Sequence, residues 1–421
     1  LVKSNLETNE ILTDDELVVY IRSLVKLGFF EEASRWVEKV NNKSLPELFD
    51  IQARMHISQW NYVEAIGPMQ QYLESLDSES YSFLVARLNY CACLNGAKRF
   101  ESSERVLSNT MQMAQSQGQP LIVANCLELL SQAYILSGRF LAGKDCIERS
   151  LSFLNQKKSV YRFYAERWRW AAELLQNGPS EKLKEVERKL REFAVEEGYW
   201  ESVRDIDRLS AVSSFDTELL IHLYFGSVHA AYREQLLGEA LSVTKLPHSY
   251  FWSLGGAHSS QQIISVDEQN ELTPTVRKLF DCLKSDFYRP LPLGYLVSKL
   301  YPSEHFDPLT TPGRIHKNIG RLRTSLPEGL SVVWGLEGAY LISQREMRFR
   351  IEVLNPSRPA LPDPFGELRD RLAGEWFTSS QVSQFLKLSQ RTTQRLLSEK
   401  LEVCEIVKSG QGRGTRYKFA A

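Results

Sequence analysis

Gly28-Phe29-Phe30-Glu31-Glu32-Ala33 recurs as Trp60-Asn61-Tyr62-Val63-Glu64-Ala65. Weaker copies follow as Lys98-Arg99-Phe100-Glu101-Ser102-Ser103 and Gly138-Arg139-Phe140-Leu141-Ala142-Gly143. Each copy has a turn residue, an aromatic two positions later and a small residue three after that. The aromatic fills the gap between paired helices, and the small residue lets the second helix approach the first. Apolar residues at three-to-four spacing run up to the turns, as in Leu17, Tyr20, Ile21, Leu24 and in Leu127, Leu130, Ala133, Tyr134. The first half of the chain therefore reads as stacked helical hairpins, a repeat architecture.

This grammar resembles the tetratricopeptide repeat (TPR) family over about 10–240. The aromatic-to-aromatic spacings of 32, 38 and 40 residues depart from that family's usual 34, so the helices are expected to be longer. From 158 to 240 the turn motif fades, while amphipathic helices continue at Tyr161–Leu175, Glu181–Glu196, Tyr199–Leu209 and Thr217–Ala240. The resemblance implies a TPR-like helical solenoid over 1–240. Each hairpin packs on its neighbours, and the curved stack leaves a concave groove for a peptide or protein. Tyr161, Arg162, Tyr164, Arg167, Trp168, Arg169 and Trp170 form an aromatic–basic cluster. It reads as a core stripe with snorkelling arginines, or as a ligand face with cation–π contacts.

Composition fits this picture. The chain has 421 residues, 43% apolar and 24% charged, enough for two to four domains at ~100–200 residues each. No apolar run approaches the ~18–20 residues that span a bilayer, and no signal-peptide pattern opens the chain. A membrane partner is not expected. Leu1 at the start suggests a processed chain or one cut from something longer. Cys91, Cys93, Cys126, Cys146, Cys282 and Cys404 stand scattered in apolar contexts, the pattern of reduced core residues in a cytoplasmic protein. The net charge of −1 hides a division. Residues 1–240 carry 27 Lys+Arg against 34 Asp+Glu, and residues 241–421 carry 24 against 18. An acidic scaffold followed by a segment suited to a polyanion fits that split.

From Pro247 the texture changes. Tyr250–Leu254 and Ile263–Val266 read as short strands. Thr273-Pro274 opens a helix to about Ser285, and a second helix runs from Gly294 to Leu300. In Thr310–Ser343, Ile315, Ile319, Leu322 and Leu326 form one buried stripe. Arg314, Lys317, Asn318, Arg321 and Arg323 mark the opposite face and its edge. Such a helix suits a major groove, where Arg and Lys reach guanine and Asn reaches adenine. Leu330–Trp334, Gly335-Leu336-Glu337-Gly338 and Ala339–Ile342 then read as strand, tight turn, strand.

Ile319-Gly320-Arg321-Leu322-Arg323 with Trp334-Gly335-Leu336-Glu337-Gly338-Ala339-Tyr340 resembles the OmpR/PhoB-type winged helix of bacterial response regulators, over 248–345. The resemblance implies that 311–325 is the recognition helix. Lys317 and Arg321 would then face bases, with Arg314, Asn318 and Arg323 near phosphates. Two departures stand out: Leu341 where the family commonly has arginine, and a Leu336-Glu337 tip whose carboxylate disfavours contact with phosphate. Residues 346–364, rich in Pro and Arg, read as a strand and a stiff linker.

The segment 365–421 reads as helices at Phe365–Leu372, Thr378–Leu386 and Ser389–Glu399, then a glycine-hinged hairpin. Leu388-Ser389-x-Arg391-Thr392-x-x-Arg395-x-Leu397 and Gly412-Arg413-Gly414-Thr415-Arg416-Tyr417 resemble the DeoR-like and Fic-associated winged helix-turn-helix. That resemblance implies base reading by Gln390, Arg391 and Gln394, with Arg395 on phosphate and Arg413 at the wing tip. The fold class is thus mainly α: a helical solenoid followed by two small α+β winged helices.

No phosphate loop, metal-ligand spacing or nucleophile elbow occurs, so no catalytic residue, metal or cofactor is expected. The function to expect is that of a bacterial transcription regulator. Its partners would be double-stranded DNA and either a peptide or protein in the groove or, where the array mediates self-association, a second copy in a homodimer. The rivals are a PCI-like interaction scaffold and the C-terminal part of a larger signalling protein.

Overall fold

The interhelical turns share one backbone path. A residue with positive φ comes first: Gly28 at 80°, Trp60 at 62°, Lys98 at 58°, Gly138 at 80°. The next residue has φ between −84° and −89° and ψ between 56° and 66°, and a helix follows at once. Its amide donates to the carbonyl five residues back: Phe29 to Leu24, Asn61 to His56, Arg99 to Leu94, Arg139 to Tyr134. That bond satisfies a carbonyl which the preceding helix would leave orphaned. Gly118-Gln119 and Gly198-Tyr199 repeat the path, with bonds from Gln119 to Ala114 and from Tyr199 to Ala194. The small positions do what the sequence asks of them. Ala33, Ala65 and Ser103 are fully buried, and a Cβ on Gly143 would meet Ile135 at 2.7 Å.

The computed structural model describes residues 12–154, 159–239, 241, 246–247, 249–254, 264–265, 272–302, 304–344, 347–352, 368, 372, 375–386, 390, 393–394, 397–398, 401, 406–410 and 414–419. The protein is mainly helical. In chain order come α1 (Asp14–Lys26), α2 (Phe30–Lys39), α3 (Pro46–Ile57), α4 (Tyr62–Glu74), α5 (Tyr81–Gly96), α6 (Phe100–Ser116), α7 (Pro120–Leu136), α8 (Phe140–Phe153), α9 (Val160–Asn177), α10 (Glu181–Glu196), α11 (Trp200–Ser214), α12 (Thr217–Phe225) and α13 (Ala230–Glu239). From α1 to α13 consecutive helices pack on one another along most of the run, and α5, α7, α9 and α11 also touch in succession. Where one long helix over 217–240 is expected, the chain breaks after Phe225. Gly226 accepts the Phe287 amide at 3.2 Å. A Cβ there would lie 2.5 Å from the Phe287 ring.

Next come β1 (Ser249–Leu254), β2 (Ile264–Ser265), α14 (Pro274–Leu283), α15 (Leu293–Leu300), α16 (Thr311–Ser325), β3 (Leu330–Trp334), β4 (Ala339–Ser343) and β5 (Met347–Glu352). Strand β5 lies between β1 and β2, parallel to β2 with Ile264 opposite Met347. Strands β3 and β4 form an antiparallel hairpin with Trp334 opposite Ala339. A backbone bridge ties Ala339 to Leu291, 2.8 and 3.0 Å.

The core of these elements is continuous with that of the first helices. One continuous apolar cluster runs from Leu17, Ile21, Leu24 and Trp36 of α1–α2 to Leu279, Leu296, Ile315, Ile319, Leu322 and Phe349. Gly294 at the start of α15 abuts the α1–α2 turn: its amide donates to Leu27 at 3.0 Å, and a Cβ on it would sit 2.3 Å from Gly28. Residues 1–351 accordingly form one compact unit and 352–421 a second.

In the second unit, α17 (Ser379–Leu386), β6 (Ile406–Ser409) and β7 (Arg416–Phe419) surround Phe377, Val382, Leu397, Ile406 and Phe419. Thr378 and Gln381 form a reciprocal cap at the start of α17. The linker after 352 and most of Phe365–Leu372 lie outside the described residues.

Candidate nucleic-acid interface

Helix α16 is held by its apolar stripe. Ile315, Ile319 and Leu322 are buried against α14, α15 and β3, and the polar face points outward. Its five polar candidates divide by environment. Lys317 is exposed and has no hydrogen-bond or ion-pair partner among the described residues. Arg321 is exposed, with one long contact of 3.4 Å to Asn318. Arg314 lies 3.9 Å from the Tyr301 ring centre and pairs with Glu304. The bond to Glu304 holds the Arg314 pKa above its ordinary value, and Glu304 below its own. Arg323 donates through Nε to the Val332 carbonyl at 2.8 Å, joining the helix to β3. Asn318 is 5% exposed and donates to the Tyr301 hydroxyl at 2.8 Å. Lys317 and Arg321 thus stand exposed on the outward face, Arg321 with its one long contact to Asn318, while the other three of the five side chains serve the module's own packing.

The β3–β4 hairpin leaves the flank of α16, where the His316 and Trp334 rings stand 4.6 Å apart. Its turn closes with the Gly335 amide on the Gly338 carbonyl at 2.8 Å. Leu336 at the tip is fully exposed. Glu337 beside it accepts a hydrogen bond from the Trp200 indole at the start of α11. The hairpin tip therefore rests on the helical array.

In the second unit, Gln390 is exposed and donates to Ser380 at 3.1 Å. Gln394 is exposed too. Arg391, Arg395 and Arg413 lie outside the described residues.

A second feature centres on α11. One side of this helix lines a cavity of about 730 Å³ that also meets Trp60, Lys98, Gln132 and Arg167. On that side Asp205 pairs with both Arg167 and Arg208. Burial alone would raise the Asp205 pKa, but the two guanidiniums hold it below the ordinary value. The other side meets the 286–289 segment. Arg204 pairs with Asp286 at 2.8 Å, and the Tyr288 hydroxyl donates to Asp207 at 2.7 Å. Glu201 joins the two sides, accepting from the Trp60 indole at 2.7 Å and pairing with Arg289 at 3.3 Å.

Sequence reading missed Trp200, Glu201, Arg204 and Glu337 as a connected group. A signal was present: Gly198-Tyr199-Trp200-Glu201-Ser202-Val203 is another copy of the turn grammar, with valine at the small position. Of the aromatic–basic cluster, Trp168 and Trp170 are core, and Arg167 is a buried ion-pair partner rather than a snorkelling one. Arg162 and Arg169 pair with Glu166 nearer the surface.

Cys91, Cys93, Cys126, Cys146 and Cys282 are buried free thiols; Cys404 is outside the described residues. Burial pushes the first three up to about 12, so they are poor nucleophiles at neutral pH. Among the described residues no group of three His, Cys, Asp or Glu could hold a metal ion, and no helix is long and apolar enough to cross a membrane. No protein-family model matches the chain, and no curated protein matches it significantly.

Proposed function

We propose that this chain is a DNA-binding transcription regulator. In this reading the 14–239 helices are a TPR-like array whose cavity receives a peptide or protein signal. The 249–351 segment is a winged helix that sets α16 in a major groove, and 365–421 is a second winged module.

One observation carries the reading: the exposed pair Lys317 and Arg321 on a helix whose opposite stripe is fully buried. These solvated cations lie four residues apart on one helical face, a spacing that can reach phosphates and guanine edges from one groove. Asn318, buried against Tyr301, has no place in base reading, and Arg323 and Arg314 contribute field rather than direct contacts. Most of the affinity comes from phosphates and the selectivity from the bases.

The test is selection from random duplex oligonucleotides, followed by titration of the selected site at several salt concentrations. R321A should weaken binding by about 1–3 kcal/mol and relax preference at one position. K317A should lower the salt slope by about one unit if Lys317 meets a phosphate.

A scaffold reading draws on the apolar core shared by α1–α3 and the 249–351 segment, because a docking module fused to its array needs no freedom to track a duplex. No selected sequence and no salt-dependent binding would favour it.

A further inference from the structure

Helices α9 and α10 are joined by Gly178-Pro179-Ser180 and meet again at their far ends, where the rings of Phe163 and Phe193 stand 5.3 Å apart. Between these two junctions the pair borders a slot of about 480 Å³, the size of a small-molecule site. Its floor is apolar. Phe163, Trp170 and Leu190 are buried, and Leu183, Val186 and Phe193 stay half-buried beside them. The slot shares no lining residue with the 730 Å³ cavity on α11.

Along this slot donors are in surplus. Trp170 is 2% exposed, and its indole Nε1 has no hydrogen-bond partner. The Nε of Arg169, which also borders the slot, is buried and equally unmatched. A buried donor without an acceptor is costly. The neighbouring carboxylates are already engaged. Glu166 accepts from Arg162 on one oxygen at 3.2 Å and from Arg169 Nη1 on the other at 3.0 Å. Glu173 pairs with Lys144 at 2.6 Å and accepts from Asn177 at 2.8 Å. Lys182 and Lys189 edge the slot from α10. Lys189 pairs with Glu185 outside it, while Lys182 is exposed and forms no ion pair among the described residues. Arg162, Arg169, Lys182 and Lys189 against Glu166 and Glu173 leave the rim positive by two charges.

We infer that the α9–α10 slot binds an elongated carboxylate, an aliphatic chain with one anionic end. The carboxylate accepts the Trp170 indole N–H and lies between Arg169 and Lys182, and the chain runs over the apolar floor toward Phe163 and Phe193. At 1.5 Å per residue, Phe163 and Trp170 stand roughly 10 Å apart along α9, the reach of a medium-length alkyl chain. A wholly apolar ligand would cover the same floor and leave both donors and the positive rim unanswered. An acceptor-only, negatively charged end answers all three. This site stands apart from the DNA-reading function proposed above, and neither depends on the other.

The test is titration of the full chain with decanoate, kept below its micelle concentration, followed by calorimetry and tryptophan fluorescence. One decanoate should bind per chain, with a fluorescence change that is lost in W170F. That variant keeps an aromatic ring on the floor and removes the N–H, and should bind decanoate about tenfold more weakly. Decanol, equal in length and uncharged, should bind the parent about tenfold more weakly as well. Added salt should weaken decanoate and leave decanol unchanged. V186W fills the slot from α10 and should abolish binding of both. Decanoate that fails to bind, or that binds V186W as well as the parent, would overturn the site. Decanol as tight as decanoate, or W170F as tight as the parent, would overturn the anionic end and its donor. Thermal midpoints within a few degrees of the parent's show that the variants are folded; should V186W fail to fold, W170F and the decanol comparison decide alone.

Discussion

Arg204 of α11 and Asp286 of the α14–α15 loop pair at 2.8 Å with both side chains wholly shielded from solvent. The guanidinium also meets the rings of Tyr232 and Tyr288, 5.5 and 5.3 Å from their centres. Removing one charge strands the other, which costs about 3–5 kcal/mol for a buried pair. R204M should lower unfolding stability by that amount in urea titration. Asp286 also accepts the backbone amides of Tyr288 and Arg289, so the double variant R204M/D286L should recover only part of the loss. A single variant within 0.5 kcal/mol of the parent would mean that the pair does not hold these elements together.

Asn318 and Arg321 stand three residues apart on α16 and should behave differently. Asn318 belongs to the fold through Tyr301, so N318A should cost about 1 kcal/mol of stability for a lost partly buried hydrogen bond. Per folded molecule it should cost duplex affinity far less than R321A does, since it removes only the long 3.4 Å contact to Arg321. R321A should do the reverse, as argued above. The comparison separates helix packing from groove reading, with denaturation and duplex titration read on the same samples.

Much of the fold was legible because the turn has a chemical signature. Positive φ favours glycine, and the aromatic two residues later is a packing requirement, so the four copies could be found in the letters. The Gly198 copy escaped because Val203 replaces the small residue. Helical periodicity in Leu17, Ile21 and Leu24 reveals that one face is buried and is silent on what buries it. The core shared with Leu279, Leu296 and Phe349 was therefore invisible. Cationic side chains on α16 were legible as residue types. Their partners were not, because Glu304 and Tyr301 reach back from a loop 10 to 17 residues upstream of Arg314 and Asn318. The Trp200–Glu337 hydrogen bond joins residues 137 apart and had no local signal.

Two histidines make stability depend on pH. Burial, and secondarily Arg191, pushes His222 down to about 4. Burial with Arg289, Arg204 and Arg233 pushes His229 to about 2. Both folded values lie below the unfolded value of about 6.5. The unfolded chain therefore takes up protons first as pH falls, and stability drops from about pH 6.5 downward, toward pH 4 for His222 and further for His229. Between pH 6.5 and 5 the loss should be on the order of 1–2 kcal/mol per histidine. His222 bonds Tyr250 at 2.7 Å, and H222Q keeps a hydrogen-bonding group while removing the titration. It should flatten the pH dependence of the urea midpoint by that residue's share. Equal slopes for parent and variant would exclude His222 as a source.

The 246–352 segment should not survive excision. Expressed as 246–352 it would expose the surfaces of Pro292, Gly294 and Phe306 that the α1–α2 turn covers, and Asp286 would lose its Arg204 partner. Leaving that apolar surface bare forfeits transfer free energy that would otherwise help to offset chain entropy. Circular dichroism of the excised segment should show a broad, weakly cooperative melt, and the protein should self-associate in sedimentation. The full chain should unfold the 12–57 helices and the 252–349 segment in one transition, because one cluster spans them. A separate, sharp transition for the excised segment would show that it can fold without the array, and the shared core would then be a docking interface rather than a requirement for folding. G294A offers an independent reading of the same boundary. Its methyl group lands on the Gly28 backbone, so overpacking should cost about 1–3 kcal/mol. That loss should appear in the shared transition of the full chain and leave the helix content of the array unchanged.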